Sequence, residues 1–164
     1  MEDVLLMDVY LVQHAEAKPK EIDPEQPLTD DGRRAIEKVA GYVSKLNMAF
    51  GEIFHSGKLR SLQTARILAE HLGEREVKMR EGIAPLDDVK PIVKWLREKE
   101  SQGTRSMTIV GHLPFLDKLT SLLVAGNESA NVVSFHRAGI VKLAAKSAGG
   151  GFAVDWILTP ELLA

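Results

Sequence analysis

The sequence predicts a three-layer α/β/α protein, with helices on both faces of a mostly parallel central sheet. Strand-like apolar stretches alternate with helix-like stretches along the 164 residues, a pattern typical of parallel sheets. The last two strand-like stretches are separated only by SAGGG, which predicts an antiparallel hairpin at the end of the chain. Because no repeat, low-complexity tract or linker divides the sequence, residues 1–164 are expected to form a single domain.

The first strand and the first helix are predicted from an apolar run and from a capped amphipathic stretch. Residues 7–13 contain four consecutive apolar side chains and are predicted to form a buried strand. Residues 27–47 are predicted to form a helix, which Thr29 can cap and whose positive end two aspartates favour. Apolar side chains at helical spacing give this helix one buried stripe, made of Ile36, Val39, Ala40 and Val43.

Two further pairs of a strand and a helix follow along the chain. Residues 51–56 are predicted to form a short strand and residues 59–73 a helix. Residues 76–81 are predicted to form a short edge strand. Residues 87–100 predict a third helix, in which Pro91 is tolerated only in the first turn.

The last part of the chain contains the most apolar strand and the final hairpin. Residues 106–112 are predicted to form a buried strand and residues 114–126 the helix that follows it. Residues 139–146 and 152–158 are the predicted hairpin strands. Ligands of open α/β sheets bind beyond the carboxyl ends of the strands, so the candidate functional residues are sought there.

Composition and charge exclude several classes of function. The formal net charge of −2 gives no basic field that would attract nucleic acid. Without cysteine there is no disulfide, thiolate nucleophile or thiolate metal site. The N-terminus is acidic where a signal peptide is basic, and the apolar runs are shorter than the roughly 20 residues of a membrane span. We therefore expect a cytoplasmic protein that does not associate with membranes.

Three histidines come at or directly after predicted strand ends: His14, His55 and His112. His14 and His112 provide a nucleophile or base and a second imidazole, while Arg60 provides a guanidinium suited to phosphate or carboxylate. Any one of these histidines has a structural alternative, as a hydrogen-bonded residue at the end of its strand. His55 is the weakest candidate, since it can simply point into a helix layer.

Other chemistries find less support in the sequence. The three strand-end histidines could hold zinc with an open fourth position, but no two of them have the i, i+4 spacing of helical ligands. No serine stands in a G-x-S-x-G elbow. His71 and His136, on a predicted helix and loop, are expected to face solvent or to cap.

Four motifs in order resemble the small phosphohistidine phosphatase branch of the histidine phosphatase superfamily, whose fold is phosphoglycerate mutase-like. They are LVQHAEA, PLTDDGRR, SGKLRSLQTA and VGHLPFLDKL, and the likeness extends over residues 7–158. The resemblance implies that His14 is the nucleophile that forms a phosphohistidine and that Arg60 binds the nonbridging oxygens. It implies that His112 donates a hydrogen bond to the phosphoryl group and that no metal or other cofactor is needed.

The chain departs from the family pattern at several positions. The arginine of the Arg-His-Gly signature is Gln13 here, and its glycine is Ala15. Members of this branch often have arginine directly before PLT, where this chain has Gln26, and the family's Ser-Pro after the second strand is Ser56-Gly57. Two of three expected phosphate-binding arginines are therefore neutral amides.

The cost of these replacements depends on nearby cations. Removing one donor to an oxyanion typically costs about 2.7–4 kcal/mol. Gln13 and Gln26 can still donate hydrogen bonds without charge, and Lys18 and Lys20 in the same loop can supply part of the missing charge. Lys18 is therefore included among the candidate phosphate-binding residues.

The acid that protonates the leaving group is sought after the third strand. Larger relatives use a carboxylate, and Glu81 is the candidate here, with Asp87 and Asp88 as alternatives. Surface charge is the competing interpretation of Glu81. A phosphohistidine substrate has less need of an acid, because the departing imidazole is a better leaving group than an alkoxide.

Two functional hypotheses follow from the sequence. The first is a metal-independent phosphatase whose substrate is a phosphorylated protein, phosphohistidine above all, or a small phosphate ester. The short segments between the motifs argue against a lid and favour an open site that admits a protein surface. The second is a degenerate module that binds phosphate without turnover, as Gln13 and Gln26 would allow; the short chain and missing arginines disfavour a mutase. The oligomeric state is left open.

Overall fold

A computed structural model describes residues 6–73 and 76–164. The acidic N-terminal residues used in the signal-peptide argument lie outside these ranges. Six strands run through the described residues: β1 (Asp8–Gln13), β2 (Glu52–His55), β3 (Val77–Met79), β4 (Ser106–Gly111), β5 (Ile140–Ala145) and β6 (Phe152–Leu158). Four α-helices accompany them: α1 (Asp30–Val43), α2 (Leu59–His71), α3 (Lys90–Ser101) and α4 (Phe115–Ala125).

All six strands belong to one sheet with the order β3-β2-β4-β1-β5-β6. Strands β3, β2, β4 and β1 pair in parallel, whereas β5 pairs antiparallel with both β1 and β6. The short β3 lies at one edge, as the sequence predicted. The predicted fold class, a mostly parallel sheet with a C-terminal antiparallel hairpin, is confirmed.

The two faces of the sheet carry separate hydrophobic cores. Along β1, Val9 and Leu11 belong to the core that contains buried residues of α3 and α4. Tyr10 and Val12 alternate with them and belong to the core that contains buried residues of α1 and α2. This alternation follows from the period of two in a strand, and it gives the three predicted layers.

The element boundaries differ from the predictions by a few residues, mostly at caps. Thr29 caps α1 as predicted, with its hydroxyl accepting from the Gly32 N–H at 2.9 Å. The helix ends at Val43, earlier than predicted, and gives way to a 3₁₀ turn before Asn47, which adopts a left-handed φ of 51°. The α3 helix begins at Lys90 rather than 87, with Pro91 in its first turn as predicted.

The sheet brings the carboxyl ends of β1, β2 and β4 to one edge. Val12 is paired with Val110, and His55 with the same Val110, so the three strands end in register. The residues that follow them therefore share one surface at this edge. In the described ranges, no helix has the length and apolar character needed to span a membrane.

Candidate active site

His14 and His112 directly follow the adjacent strands β1 and β4 and lie side by side. The His14 N–H donates to the Gly111 carbonyl at 3.0 Å, which continues the parallel pairing by one residue. The two imidazole rings have centroids 5.0 Å apart at an interplanar angle of 53°. The sheet thus brings two imidazoles close enough to act on one small group.

A backbone hydrogen bond fixes the tautomer of His14. Its Nδ1 lies 2.7 Å from the Ala15 carbonyl oxygen. A carbonyl can only accept, so Nδ1 carries the proton and Nε2 has a free lone pair in the neutral ring. Burial lowers the pKa of His14 to about 4, helped by the charges of Arg60 and Arg137 and opposed by the bond to Ala15. His14 is therefore neutral at physiological pH.

His112 is also held neutral and in one orientation. Its Nε2 lies 2.7 Å from the Ser56 hydroxyl, in the loop after β2. Its ring is almost wholly buried, and burial lowers its pKa to about 3, with contributions from the nearby His14, Arg60 and Lys58. Its Nδ1 is buried and has no hydrogen-bond partner among the described residues.

The start of α2 is tied to the ends of three strands. The buried Ser61 hydroxyl donates to the Val110 carbonyl at 2.7 Å and accepts from the Ser56 N–H at 3.0 Å. The buried Thr64 hydroxyl donates to the Arg60 carbonyl at 2.8 Å and accepts from the Ala15 N–H at 3.0 Å. Arg60, in the first turn of α2, is thereby fixed beside His14 and His112, and its charge lowers the pKa of both.

Gln13, at the end of β1, is 8% exposed. Its Oε1 is buried and makes no hydrogen bond within the part of the chain that the structure describes. An unpaired buried acceptor is costly, so this amide is an unusual feature for the end of a strand. It lies beside a cavity of about 570 Å³ whose lining includes Gln13, Glu16, Leu113, Phe135, Arg137 and Glu161.

Arg137 is a residue at this edge that the sequence analysis missed. The sequence rule considered only the residues that follow the carboxyl ends of strands. Because β5 is antiparallel to β1, the residues before β5 lie at the edge where β1 ends, and Arg137 is paired with Gln13 there. The predicted hairpin could have drawn attention to it, since an antiparallel strand begins where its parallel neighbours finish.

The other two predicted phosphate ligands, Lys18 and Gln26, lie in the loop between β1 and α1. Gln26 has a left-handed φ of 51°, and its Nε2 makes a long hydrogen bond of 3.5 Å to the Lys18 carbonyl. Lys18 is exposed, and its N–H donates to the Pro27 carbonyl at 2.8 Å. Lys20 is exposed too. The structure brings together His14, His112 and Arg60. Gln13 precedes His14 and lines the cavity, and the Gln26 side chain bonds to the Lys18 carbonyl.

The three candidate acids differ in what their carboxylates do. Asp87 accepts from the Ala84 N–H at 2.8 Å and Asp88 from the Lys90 N–H at 3.0 Å, so both stabilise the loop before α3. Glu81 follows β3 in a turn and is exposed. Among the described residues, the Glu81 carboxylate accepts no such hydrogen bond from its own loop, in contrast to Asp87 and Asp88.

His55 has a local structural contact. It is 7% exposed, and its Nδ1 accepts from the Gly57 N–H at 3.1 Å, a bond that shapes the turn after β2. Burial lowers the pKa of His55, with a further contribution from Arg66. No three His, Cys, Asp or Glu side chains in the described ranges cluster as metal ligands.

Neutral imidazoles and a fixed guanidinium beyond the carboxyl ends of parallel strands define a site for a tetrahedral oxyanion. Comparison with known proteins agrees with this class. Residues 9–87 match the histidine phosphatase superfamily (branch 1), and this match confirms the predicted resemblance.

Relatives and solved structures extend the likeness over nearly the whole chain. An uncharacterized protein of Picosynechococcus sp. is 28% identical over 140 residues, which cover 84% of each chain. The protein histidine phosphatase SixA, solved with tungstate, superposes with a TM-score of 0.85 at 20% identity, covering 95% of this chain and 99% of SixA. Phosphoglycerate mutase from Bacillus anthracis has a TM-score of 0.73 at 11% identity, covering 93% of both chains. At these identities the two structural matches establish a shared phosphoglycerate mutase-like fold.

Proposed function

We propose that this protein is a phosphatase that acts through a phosphohistidine intermediate on His14. The observation that carries the proposal is the pair of neutral imidazoles, His14 and His112, with ring centroids 5.0 Å apart beside Arg60. The family match over residues 9–87 and the fold shared with the protein histidine phosphatase SixA support it. In this proposal residues 1–164 act as one domain, since both cores draw on strands from the two halves of the sequence.

The first step uses the tautomer that Ala15 imposes. With Nδ1 donating to the Ala15 carbonyl, the Nε2 lone pair of His14 attacks phosphorus. The bond between phosphorus and the leaving oxygen or nitrogen breaks, and His14 becomes phosphorylated. Water then attacks the same phosphorus on the side opposite Nε2, which releases phosphate and returns the lone pair to His14.

Charge on the phosphoryl oxygens is balanced by fixed donors. Arg60 offers a guanidinium in which two of the N–H groups match two nonbridging oxygens, and its place is set by Ser61 and Thr64. His112 donates one hydrogen bond from a neutral ring oriented by Ser56. Donors aimed at the site in advance stabilise the transition state without reorganisation, so this reaction has no requirement for a metal ion.

The substrate is a phosphorylated protein, phosphohistidine in particular, or another phosphate ester that reaches this edge of the sheet. Glu81, exposed in the turn after β3, is the proposed acid for leaving groups that need a proton. An imidazole leaving group needs this acid less than an alkoxide does.

The decisive experiment compares wild type with His14→Ala in the absence of added metal. Wild type should hydrolyse an activated aryl phosphate and a phosphohistidine protein, and His14→Ala should lose both activities. Brief incubation with ³²P-labelled substrate followed by alkaline denaturation should trap label on wild type and not on His14→Ala. His71→Ala is the matched control, because its Nδ1 bonds to the Ile67 carbonyl of its own helix at 3.0 Å. Equal turnover by wild type and His14→Ala would reject the mechanism.

The second candidate is a module that binds phosphate without turnover. Gln13 supports it, since a neutral amide with an unpaired Oε1 presents an acceptor where the family has a cation. Such a module would bind inorganic phosphate reversibly and would never become covalently labelled. Turnover that appears only after Gln13→Arg would favour this candidate over the enzyme.

A further inference from the structure

Arg137 lies beside the position where the family signature has its arginine. Gln13 and Arg137 pair as a parallel bridge, and the Ala138 N–H donates to the Gln13 carbonyl at 2.9 Å. Residues paired in this way have their side chains on the same face of a sheet. A guanidinium from the neighbouring segment is therefore available on the side of the sheet that the Gln13 side chain occupies.

A tight turn fixes the backbone of Arg137. The Gly139 N–H donates to the His136 carbonyl at 2.9 Å, and Ala138 between them is fully buried with a left-handed φ of 61°. A non-glycine residue keeps this conformation only where its surroundings enforce it. A side chain on Gly139 would place its Cβ 2.9 Å from the His136 carbonyl oxygen, so the turn also requires glycine. The Arg137 side chain is 62% exposed and extends from this fixed base.

Glu16 is the counter-ion of Arg137. Its Oε2 lies 3.8 Å from Arg137 Nη1, and its Oε1 accepts from the Thr29 hydroxyl at 2.7 Å. A half-exposed ion pair of this length contributes little to stability. It leaves most of the five N–H donors of the guanidinium free to bind an anion. All of Gln13, Glu16 and Arg137 line the same cavity.

The charge of Arg137 already reaches the nucleophile. Together with Arg60, it lowers the pKa of His14. Arg60 and Arg137 approach His14 from different elements, since one starts α2 and the other precedes β5. A phosphoryl group bound to His14 would therefore meet a cation from each of these two elements.

We propose that Arg137 is a phosphate-binding catalytic residue that supplies the charge missing at Gln13. This inference rests on the proposed function, in which the phosphoryl group is bound at His14. The guanidinium contacts nonbridging oxygens through two N–H donors, as the signature arginine would from position 13. The family's arginine is thus replaced by one on the neighbouring segment, and the site retains two guanidinium groups.

The test measures equilibrium binding of tungstate by calorimetry alongside turnover of an aryl phosphate. Arg137→Gln should bind tungstate at least tenfold more weakly and should lose about 10²–10³ in kcat/KM. Arg137→Lys should retain part of the affinity, because it keeps the charge and loses the fork. The matched control is Arg105→Gln, which removes an exposed arginine just before β4, at the opposite edge of the sheet.

An exchange variant distinguishes phosphate binding from a structural role. The double variant Gln13→Arg/Arg137→Gln should recover tungstate affinity and turnover. If the loss in Arg137→Gln came only from a distorted turn, an arginine at position 13 would not restore either of them. If Arg137→Gln binds tungstate as tightly as Arg105→Gln does, the inference is overturned. The proposed function still stands in that case, provided that turnover depends on His14. Conversely, if wild type binds tungstate through Arg137 and shows no turnover, the phosphatase is rejected and Arg137 is retained as an anion ligand.

Discussion

At the scale of single residues, the chemistry of His14 depends on one carbonyl and on burial. The Ala15 carbonyl selects the tautomer with a free Nε2, and burial keeps the ring unprotonated well below neutral pH. A neutral imidazole is a nucleophile, whereas an imidazolium is not. In the proposed mechanism no base is required to activate His14, in contrast to a serine nucleophile.

Substitution of Glu81 tests whether this residue acts as the acid and not as a phosphate-binding group. Glu81→Gln should slow hydrolysis of an alkyl phosphate by roughly 10²-fold, because an alkoxide needs a proton as it leaves. The same variant should hydrolyse a phosphohistidine peptide and an activated aryl phosphate at the wild-type rate. Steady-state kinetics with the three substrates measure the difference.

Asp88→Asn is the matched control for Glu81→Gln, since the Asp88 carboxylate accepts from the Lys90 N–H in the same loop region. It should leave all three rates unchanged. A uniform loss over the three substrates in Glu81→Gln would show that Glu81 acts on binding or folding and is not the acid.

At the scale of elements, the first turn of α2 is the part that assembles the site. Ser61 and Thr64 are one turn apart on the same helix face, and each bonds to backbone groups at the ends of other elements. Such buried hydroxyls satisfy strand-end groups that have no partner in the sheet. Thr64 also donates to the Arg60 carbonyl, so helix docking and the proposed phosphate binding depend on the same contacts.

Thr64→Val tests this connection with a change of nearly equal volume. It leaves the buried Ala15 N–H without its acceptor, so it should lower the free energy of unfolding by about 1–3 kcal/mol. It should also lower kcat/KM, because Arg60 and the residue after His14 lose their common anchor. Urea unfolding and turnover of an aryl phosphate measure the two effects.

Thr120→Val is the control for Thr64→Val. Its buried hydroxyl donates only to the Leu116 carbonyl of its own helix, at 2.7 Å, and that carbonyl keeps its helical partner after the change. The loss of stability should be smaller than in Thr64→Val, and turnover should be unchanged. Equal effects of the two substitutions would contradict an assembling role for the start of α2.

The elements themselves were largely predictable from sequence, because each has a local signal. The apolar run of β4, the Thr29 cap and the SAGGG turn depend on neighbours in the chain, and all three were located correctly. His14, His112 and Arg60 were found because parallel strands end at one edge. Arg137 was missed because its place depends on the antiparallel pairing of β5 with β1, a long-range contact that no local pattern encodes.

At the scale of the whole molecule, the site lies where two hydrophobic cores meet the edge of the sheet. The cores enclose β1 and β4 from both faces, so the residues that end these strands are withdrawn from water. This withdrawal lowers the pKa of both site histidines. The same burial that keeps His14, the proposed nucleophile, neutral therefore makes the stability of the fold depend on pH.

The sign of this dependence follows from the two states of each histidine. In the unfolded chain His14 and His112 take up protons as the pH falls through about 6.5, whereas in the folded protein they do so only at about 4 and about 3 respectively. Between these values the unfolded chain binds more protons, so the free energy of unfolding decreases as the pH is lowered. Burial lowers the pKa of His55 as well, and it acts in the same direction.

Urea unfolding between pH 7 and pH 5 measures this effect above the range in which most carboxylates titrate. Wild type should lose stability steadily over the interval, and the double variant His14→Gln/His112→Gln should show a clearly shallower decline. The remaining slope should come in part from His55, and a further His55→Gln change should reduce it. An equal slope in wild type and the double variant would mean that the two histidines take up protons over the same pH range in the folded and the unfolded protein, and the lowering of their pKa by burial would then have to be abandoned.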